Sequence, residues 1–219
     1  MKKYKYIFFD LDGTLTDPFE GITHSVALAL EHFGIYVKDR SELGKFIGPP
    51  LRESFPKYYP IPADRVEEAV EEYRKYFSVK GLFENEMYAG VPEMLSALRD
   101  AGYTILLATA KPEVYAKRIT EHFGIDGFFF AQCGASLDGV RDSKASVIKY
   151  ALSVCKAAPD EVLMIGDRSH DVLGAKEHGV DTAGVLWGYG SREELESVGA
   201  VCTFGSVNSL TEYLLDRSN

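Results

Sequence analysis

Short apolar runs recur along the chain, and amphipathic stretches separate them. The first run covers residues 4–10 and ends at an Asp-x-Asp-Gly turn. Further runs lie at residues 103–109, 127–133, 162–166, 182–186 and 200–204. Runs of this length predict buried strands, whereas residues 91–98 carry apolar side chains at the i, i+3, i+4, i+7 spacing of a helix. Strands that alternate with helices predict an α/β fold, with a doubly wound parallel sheet covered on both faces.

The stretch between the first and second predicted strands has a different pattern. Residues 16–80 contain no convincing strand, and helices are expected instead at residues 19–33, 40–46, 51–58 and 63–79. An all-helical insert directly after the first strand is typical of a cap. We therefore expect a helical cap domain of residues 16–88 and a Rossmann-like α/β core of residues 1–15 and 89–219, with hinges near residues 14–18 and 83–90.

Composition limits the classes of function. Of 219 residues, 46% are hydrophobic and 26% are charged, which is ample for a globular core. The formal net charge of −9 argues against a general nucleic-acid partner, because an acidic surface repels phosphates. Three widely spaced cysteines form no CxxC pair and favour free thiols in a reducing compartment. The first apolar run stops at Asp10 and no segment approaches membrane-spanning length, so we expect a cytoplasmic protein without a membrane partner.

The most specific signal follows the first predicted strand. Residues 10–17 read Asp-Leu-Asp-Gly-Thr-Leu-Thr-Asp, and ligand sites in open parallel sheets lie where such strands end. This octapeptide resembles the first motif of the haloacid dehalogenase-like phosphatases. The other motifs of that family occur in the expected order: Thr109 at a strand end, Lys144 at a helix start, and Gly-Asp-x-x-x-Asp at residues 166–171. The resemblance spans essentially the whole chain.

Two positions depart from the family pattern. Ala110 stands where the family often has Asn, and Ala145 stands where Pro often follows the lysine. Ala110 keeps the backbone N–H that would bind phosphate, and neither change removes a charged side chain. We therefore expect the activity to be retained.

The reaction chemistry suggests a role for each motif residue. A carboxylate is a weak nucleophile unless it is aimed at phosphorus and the phosphoryl oxygens are neutralised. Asp10 is the expected nucleophile, and Asp12 is expected to protonate the leaving oxygen and then deprotonate the attacking water. The Thr109 hydroxyl and the Ala110 amide would hydrogen-bond the phosphoryl group, and Lys144 would place positive charge against it.

The acidic side chains also predict a metal site. Four acids would converge at one sheet edge and raise one another's pKa: Asp10, Asp12, Asp167 and Asp171. A hard dication relieves that conflict, and Mg²⁺ prefers oxygen ligands. The expected ligands are the Asp10 and Asp167 carboxylates and the Asp12 backbone carbonyl. Asp171 is expected outside this set, orienting a water on the metal or the motif lysine.

The cap offers candidates for substrate selection. Within residues 46–52, Gly48 and two prolines fix a turn before a helix, and Arg52 lies in its first turn. A helix N-terminus and an arginine suit an anionic group; an outward arginine on a rigid turn is the alternative. This segment and residues 186–195 resemble the phosphoglycolate phosphatase branch, which also holds 5′-nucleotidases and pyrophosphatases. The resemblance implies a small phosphorylated metabolite as substrate, with phosphoglycolate favoured.

Other functions stay open at this point. A sugar phosphomutase would use the same acid pair and return the phosphoryl group to a sugar. A dehalogenase needs no acid at the position of Asp12, and a phosphonatase needs a cap lysine such as Lys45 or Lys57. A phospho-accepting signalling domain uses similar residues but lacks the helical insert. His170 is expected to be an incidental neighbour, and the chain is expected to be a monomer or a weak homodimer.

Overall fold

The apolar runs form a six-stranded parallel sheet in a computed structural model that describes residues 4–216. Numbered along the chain, the strands are β1 (Tyr6–Phe9), β2 (Thr16–Asp17), β3 (Glu86–Met87), β4 (Thr104–Pro112), β5 (Ala131–Ala135), β6 (Val162–Gly166), β7 (Asp181–Val185) and β8 (Cys202–Phe204). The order in the sheet is β5-β4-β1-β6-β7-β8, and β2 pairs with β3. The predicted parallel sheet is confirmed.

The amphipathic stretches form helices between these strands. They are α1 (Phe19–His32), α2 (Leu51–Tyr58), α3 (Val66–Tyr76), α4 (Val91–Asp100), α5 (Glu113–His122), α6 (Lys144–Cys155), α7 (Ser169–Lys176), α8 (Arg192–Val198) and α9 (Val207–Asp216). Short 3₁₀ segments lie at Arg40–Phe46, Ala63–Arg65, Asp126–Phe128 and Pro159–Glu161, and a π-helical turn, Phe77–Gly81, follows α3. Within residues 4–216, every helix is too short or too polar to cross a membrane.

The chain divides into two compact units. One contains the residues up to Thr16 and those from Met87 onward, and the other is Asp17–Glu86. The first unit holds the six-stranded sheet and the helices from α4 to α9. The second holds α1, α2 and α3, which pack around buried rings such as Phe46 and Phe55, whose centroids lie 5.2 Å apart. The predicted helical insert in an α/β core is confirmed.

The central strand β1 is buried from Ile7 to Phe9 and pairs in register with both of its neighbours. Ile7, Phe8 and Phe9 have no exposed surface, and burying each such side chain contributes about 1.5–3 kcal/mol. Phe8 packs in a cluster with residues of α6 and the flanking strands. Phe9 lies beside Leu107 of β4 and Ile165 of β6. The carboxyl ends of three strands therefore meet at one edge.

One strand begins later than expected. The prediction placed it at residues 127–133, but Asp126–Phe128 forms a 3₁₀ turn and β5 starts at Ala131. Phe130 is 64% exposed, so part of the apolar run does not belong to the core. The Asp-Gly pair favours a turn at this point, and the edge position of β5 needs fewer buried residues than a central strand does.

Candidate active site

The predicted motif residues of the strands lie just after β1 and β6 and within the last part of β4, at the carboxyl edge of the sheet. Asp10 comes directly after β1, and its amide donates to Ile165 O of β6 at 2.9 Å. Thr109 and Ala110 lie near the end of β4, and Asp167 comes directly after β6. Because β1 pairs in parallel register with β4 on one side and β6 on the other, the structure brings these residues to the same edge of the sheet.

The turn after Asp10 requires a glycine. Gly13 has φ of 83°, a conformation that residues with a Cβ rarely adopt. A Cβ at this position would also overlap the Asp167 carboxylate. Leu11 O closes the turn by accepting the amides of Leu15 and Thr16 at 2.9 and 3.0 Å. The turn thus returns the chain beside Asp167.

Lys144 contacts two of the acidic side chains. It is the first residue of α6, and its side chain is 5% exposed. Its Nζ lies 2.7 Å from Asp10 Oδ1 and 2.8 Å from Asp171 Oδ1, and it donates to Ala108 O at 3.1 Å. Burial by itself lowers the pKa of Lys144, but the Asp10 and Asp171 carboxylates outweigh it and raise that pKa above the ordinary lysine value. The group is therefore a fixed cation beside Asp10.

Lys111 has no role predicted from the sequence, yet its Nζ lies 2.8 Å from Asp12 Oδ2. The two side chains are only 4% and 11% exposed. Burial raises the pKa of Asp12 above its ordinary value, and the Lys111 charge counteracts part of that rise. The signal was a lysine two residues after Thr109, the spacing at which strand side chains share a face; both residues are buried, whereas Ala110 between them is half-buried.

The hydroxyl of Thr109 is oriented by the backbone beyond it. Thr109 is 1% exposed, and its Oγ1 accepts the Lys111 amide at 3.2 Å. Because the hydroxyl accepts from this amide, its hydrogen can be donated to an oxygen acceptor. That is the polarity expected of a group that binds a phosphoryl oxygen.

Three carboxylates form a compact buried group. Asp10, Asp167 and Asp171 each offer one oxygen within 4.8 Å of the others. Burial, with the Asp171 and Asp10 charges, raises the pKa of Asp167 well above its ordinary value. Burial and the Asp10 charge raise the pKa of Asp171 to about 6, although the Lys144 charge opposes this rise. The fold thus concentrates anionic oxygens that resist joint ionisation.

These residues fit a divalent cation. Four aspartates and two lysines at this edge leave a formal charge of −2 when all are ionised. Asp167 Oδ2 accepts the Tyr189 amide at 2.8 Å, whereas its buried Oδ1 accepts no hydrogen bond from residues 4–216. A hard dication would supply both the missing partner and the missing charge. The Asp12 carboxylate lies outside the three-carboxylate group.

A glycine-rich loop after β7 supports Asp167, and sequence reasoning missed this role. Besides the Tyr189 amide contact, the Trp187 indole Nε1 donates to Thr14 O at 3.0 Å. A Cβ at Gly188 would overlap Gly13 O, and one at Gly190 would overlap Asp167 O. The glycines therefore allow the close backbone approach that delivers the amide to the carboxylate.

The first turn of α7 is fixed by an acid from α8. Glu194 accepts from Arg168 Nε at 3.0 Å and from the Ser169 amide at 2.8 Å. Asp171 Oδ2 accepts the Arg168 amide at 3.1 Å, so the Asp171 carboxylate also caps the helix. His170 is half-buried in the same turn. These contacts position Asp171 against Lys144.

The candidate specificity residues lie in the helical unit. Gly48 has φ of 101° and precedes the prolines that lead into α2. Arg52 forms a two-pronged ion pair with Glu67 of α3: Nη2 lies 2.9 Å from Oε2, and Nε donates to Oε1. Both side chains are exposed. A contact of Gly48 or Arg52 with substrate stays a prediction.

Comparison with known proteins finds sequences and structures that are similar to this chain. Residues 7–185 match the family model described as haloacid dehalogenase-like hydrolase. A protein named 5′-nucleotidase from Pseudomonas aeruginosa is 48% identical over 195 residues, which is 89% of this chain and 88% of that protein. A protein named tyrosine-protein kinase PtkA from Mycobacterium tuberculosis is 40% identical over 95% of this chain and 72% of its own length. The crystal structure of a predicted phosphatase from Clostridium acetobutylicum has a TM-score of 0.95 and 45% identity, and covers 98% of this chain and 99% of that one.

Proposed function

Because the chain belongs to the haloacid dehalogenase-like hydrolase family and is a phosphoric monoester hydrolase, we propose that it is a magnesium-dependent phosphatase that forms an aspartyl phosphate on Asp10. The observation that supports this most directly is the group of Asp10, Asp167 and Asp171, whose oxygens lie within 4.8 Å of one another beside Lys144. This arrangement combines a nucleophile, a cation site and a fixed positive charge.

In the first step, an Asp10 carboxylate oxygen attacks phosphorus as the bond from phosphorus to the leaving oxygen breaks. Asp12 gives its proton to that oxygen, so the product leaves as an alcohol. Lys144, 2.7 Å from Asp10 Oδ1, places positive charge next to the phosphoryl oxygens. The Thr109 hydroxyl and the Ala110 amide would donate hydrogen bonds to the same oxygens.

In the second step, water attacks the phosphorus of the aspartyl phosphate. Asp12, now ionised, takes the water proton, and the bond between phosphorus and Asp10 breaks. Inorganic phosphate leaves and Asp10 is restored. The net reaction consumes one water and one phosphomonoester, and it returns Asp12 to its protonated form.

The cation would be held by the Asp10 and Asp167 carboxylates together with the Asp12 backbone carbonyl. When bound, Mg²⁺ would neutralise the repulsion between the Asp10 carboxylate and the anionic phosphoryl group. Asp171 contacts Lys144 at 2.8 Å and would hold that lysine against Asp10. Asp10 would then be aimed at phosphorus without being repelled by the phosphoryl oxygens.

We propose a small phosphomonoester as substrate, and we place nucleoside 5′-monophosphates first. This ranking rests on the 48% identity to the protein named 5′-nucleotidase. Phosphoglycolate, which the sequence favoured, and pyrophosphate are the alternatives. The relative named as a tyrosine-protein kinase adds phosphotyrosine to the compounds worth testing.

The test is release of inorganic phosphate with Mg²⁺ from a panel of nucleoside monophosphates, phosphoglycolate, sugar phosphates, pyrophosphate and phosphotyrosine. We expect turnover without a sugar-phosphate acceptor, which distinguishes a phosphatase from a phosphomutase. Asp10→Asn should abolish turnover while keeping the fold, and Asp126→Asn, an exposed aspartate, is the matched control. Multiple turnovers by the Asp10 variant would refute the nucleophile.

A further inference from the structure

The sheet edge holds two buried lysines, and they contact different acids. Lys144 Nζ contacts Asp10 and Asp171, whereas Lys111 Nζ lies 2.8 Å from Asp12 Oδ2. The Lys111 side chain is 4% exposed. Burying an ammonium group is costly unless a partner compensates it. The Lys111–Asp12 pair is therefore a specific feature of this edge and not an incidental surface contact.

The acid in this pair, Asp12, lies outside the group that the other three acids form. Three carboxylates approach one another within 4.8 Å, namely those of Asp10, Asp167 and Asp171, and Asp12 is not among them. Asp12 Oδ1 is buried and accepts no hydrogen bond from residues 4–216, so Lys111 is the side chain that anchors the carboxylate through Oδ2. The Lys111 backbone is itself fixed by its amide contact with Thr109.

We propose that Lys111 is a positioning residue: it holds the Asp12 carboxylate towards the leaving oxygen and away from the three-carboxylate group. The inference rests on the proposed phosphatase function. If the Asp12 carboxylate became a ligand of the cation, it would point away from the leaving oxygen, to which it must give its proton. Acid–base groups contribute about 10²–10⁴-fold to rate, and a misplacement of about 1 Å costs about 10²-fold.

Lys111→Met tests this, because it removes the charge and keeps the length of the side chain. An alkyl phosphomonoester needs its leaving oxygen protonated, whereas 4-nitrophenyl phosphate releases a stable phenolate. We expect phosphorylation of Asp10 to slow about 10²-fold with the alkyl substrate and less than about threefold with the nitrophenyl substrate. The later hydrolysis needs Asp12 in both cases.

The variant should therefore accumulate the covalent intermediate. Rapid mixing with 4-nitrophenyl phosphate should give a burst of about one nitrophenol per enzyme, followed by slow release. Intact mass spectrometry of the quenched sample should detect the phosphorylated protein. A defect that merely loosens the fold would slow both substrates alike and would give no burst.

Three further variants serve as controls. Lys111→Arg keeps a cation for Asp12 and should restore most of the alkyl-substrate rate. Lys111→Gln keeps a hydrogen-bond donor, and its rate with the alkyl substrate should lie between those of the arginine and methionine variants. It replaces the methionine variant if circular dichroism shows that variant to be unfolded. Lys149→Met removes a charge from an exposed position on α6 and should leave both substrates unaffected.

Two results would overturn the inference. If Lys111→Met slowed the phosphorylation of Asp10 equally with both substrates and gave no burst, Lys111 would have a structural role only. A raised KM with unchanged kcat would make Lys111 a substrate contact and not a positioning residue. Failure of the proposed function would look different, because the wild-type protein would then release no phosphate or the Asp10→Asn variant would retain turnover.

Discussion

Replacing Asp167 by Asn should make the metal-free protein more stable and abolish its response to Mg²⁺. The buried Asp167 carboxylate lies beside those of Asp10 and Asp171, and its Oδ1 accepts no hydrogen bond from the described residues. Asparagine keeps the shape and can still accept the Tyr189 amide that Asp167 Oδ2 accepts at 2.8 Å. Its amide nitrogen would place a donor where the unpaired oxygen lies.

The size of the effect follows from the separation of the carboxylates. Two charges 4.8 Å apart repel by about 3.5 kcal/mol at an effective dielectric of about 20, and Asp167 has two such neighbours. The Tyr189 hydrogen bond, the nearby Arg168 charge and partial protonation offset much of this repulsion. We expect a gain of about 2–4 kcal/mol, which raises Tm by about 4–16 °C in a chain of this size.

Thermal unfolding in EDTA and in Mg²⁺ measures both effects. The wild-type protein should gain stability from Mg²⁺, because a ligand that binds only the folded state stabilises it. The Asp167→Asn variant should have a higher Tm than the wild type in EDTA, and Mg²⁺ should not raise it further. Asp160→Asn removes an exposed aspartate and is the matched control, which should follow the wild type in both conditions.

The pH dependence gives an internal check. The pKa of Asp167 is raised in the folded state above the ordinary value of 3.8, so the folded state binds this proton more tightly than the unfolded state. Stability from this group is therefore greatest at low pH and is lost as the pH rises from about 4 to the folded-state pKa. The advantage of Asp167→Asn should shrink accordingly as the pH falls towards about 4.

Two outcomes would refute this reasoning. If the Asp167 variant in EDTA melted at or below the wild-type temperature at mildly alkaline pH, the carboxylates would not be in electrostatic conflict. If the variant kept the full Mg²⁺ shift, Asp167 would not be a ligand.

Three further perturbations test other parts of the site. Gly13→Ala should destabilise by more than about 3 kcal/mol in urea unfolding, because its Cβ would overlap Asp167, whereas Gly34→Ala, at φ of 73° with open space around it, should cost only about 1 kcal/mol. If Arg52 binds substrate, Arg52→Ala should raise KM more than it lowers kcat. Glu67→Gln, which removes the charge that pairs with Arg52, should not raise KM. An unchanged KM in the Arg52 variant would exclude Arg52 from the site. Asp12→Asn should stall hydrolysis of the phosphoenzyme seen by mass spectrometry, and normal hydrolysis would identify another base.

The local pattern of residues was enough to predict the architecture. Strand runs, helical spacing and the long helical stretch after β1 identify a parallel α/β core with a helical insert, although the structure adds the two-residue strand β2 at its start. The placement of Asp10, Thr109 and Asp167 at one edge follows as well, because every parallel strand in such a sheet presents its carboxyl end on the same side. Each of these inferences needs only residues that are close in the chain.

Tertiary structure decided how the charges are paired. No local signal matches Lys111 with Asp12 and Lys144 with Asp10, or directs the Tyr189 amide to Asp167. These contacts join segments far apart in the chain, and each depends on register and side-chain direction to within about an ångström. Electrostatic energies in a buried site change by about 1 kcal/mol or more over such distances. The role of each acid is therefore defined only when the strands are assembled.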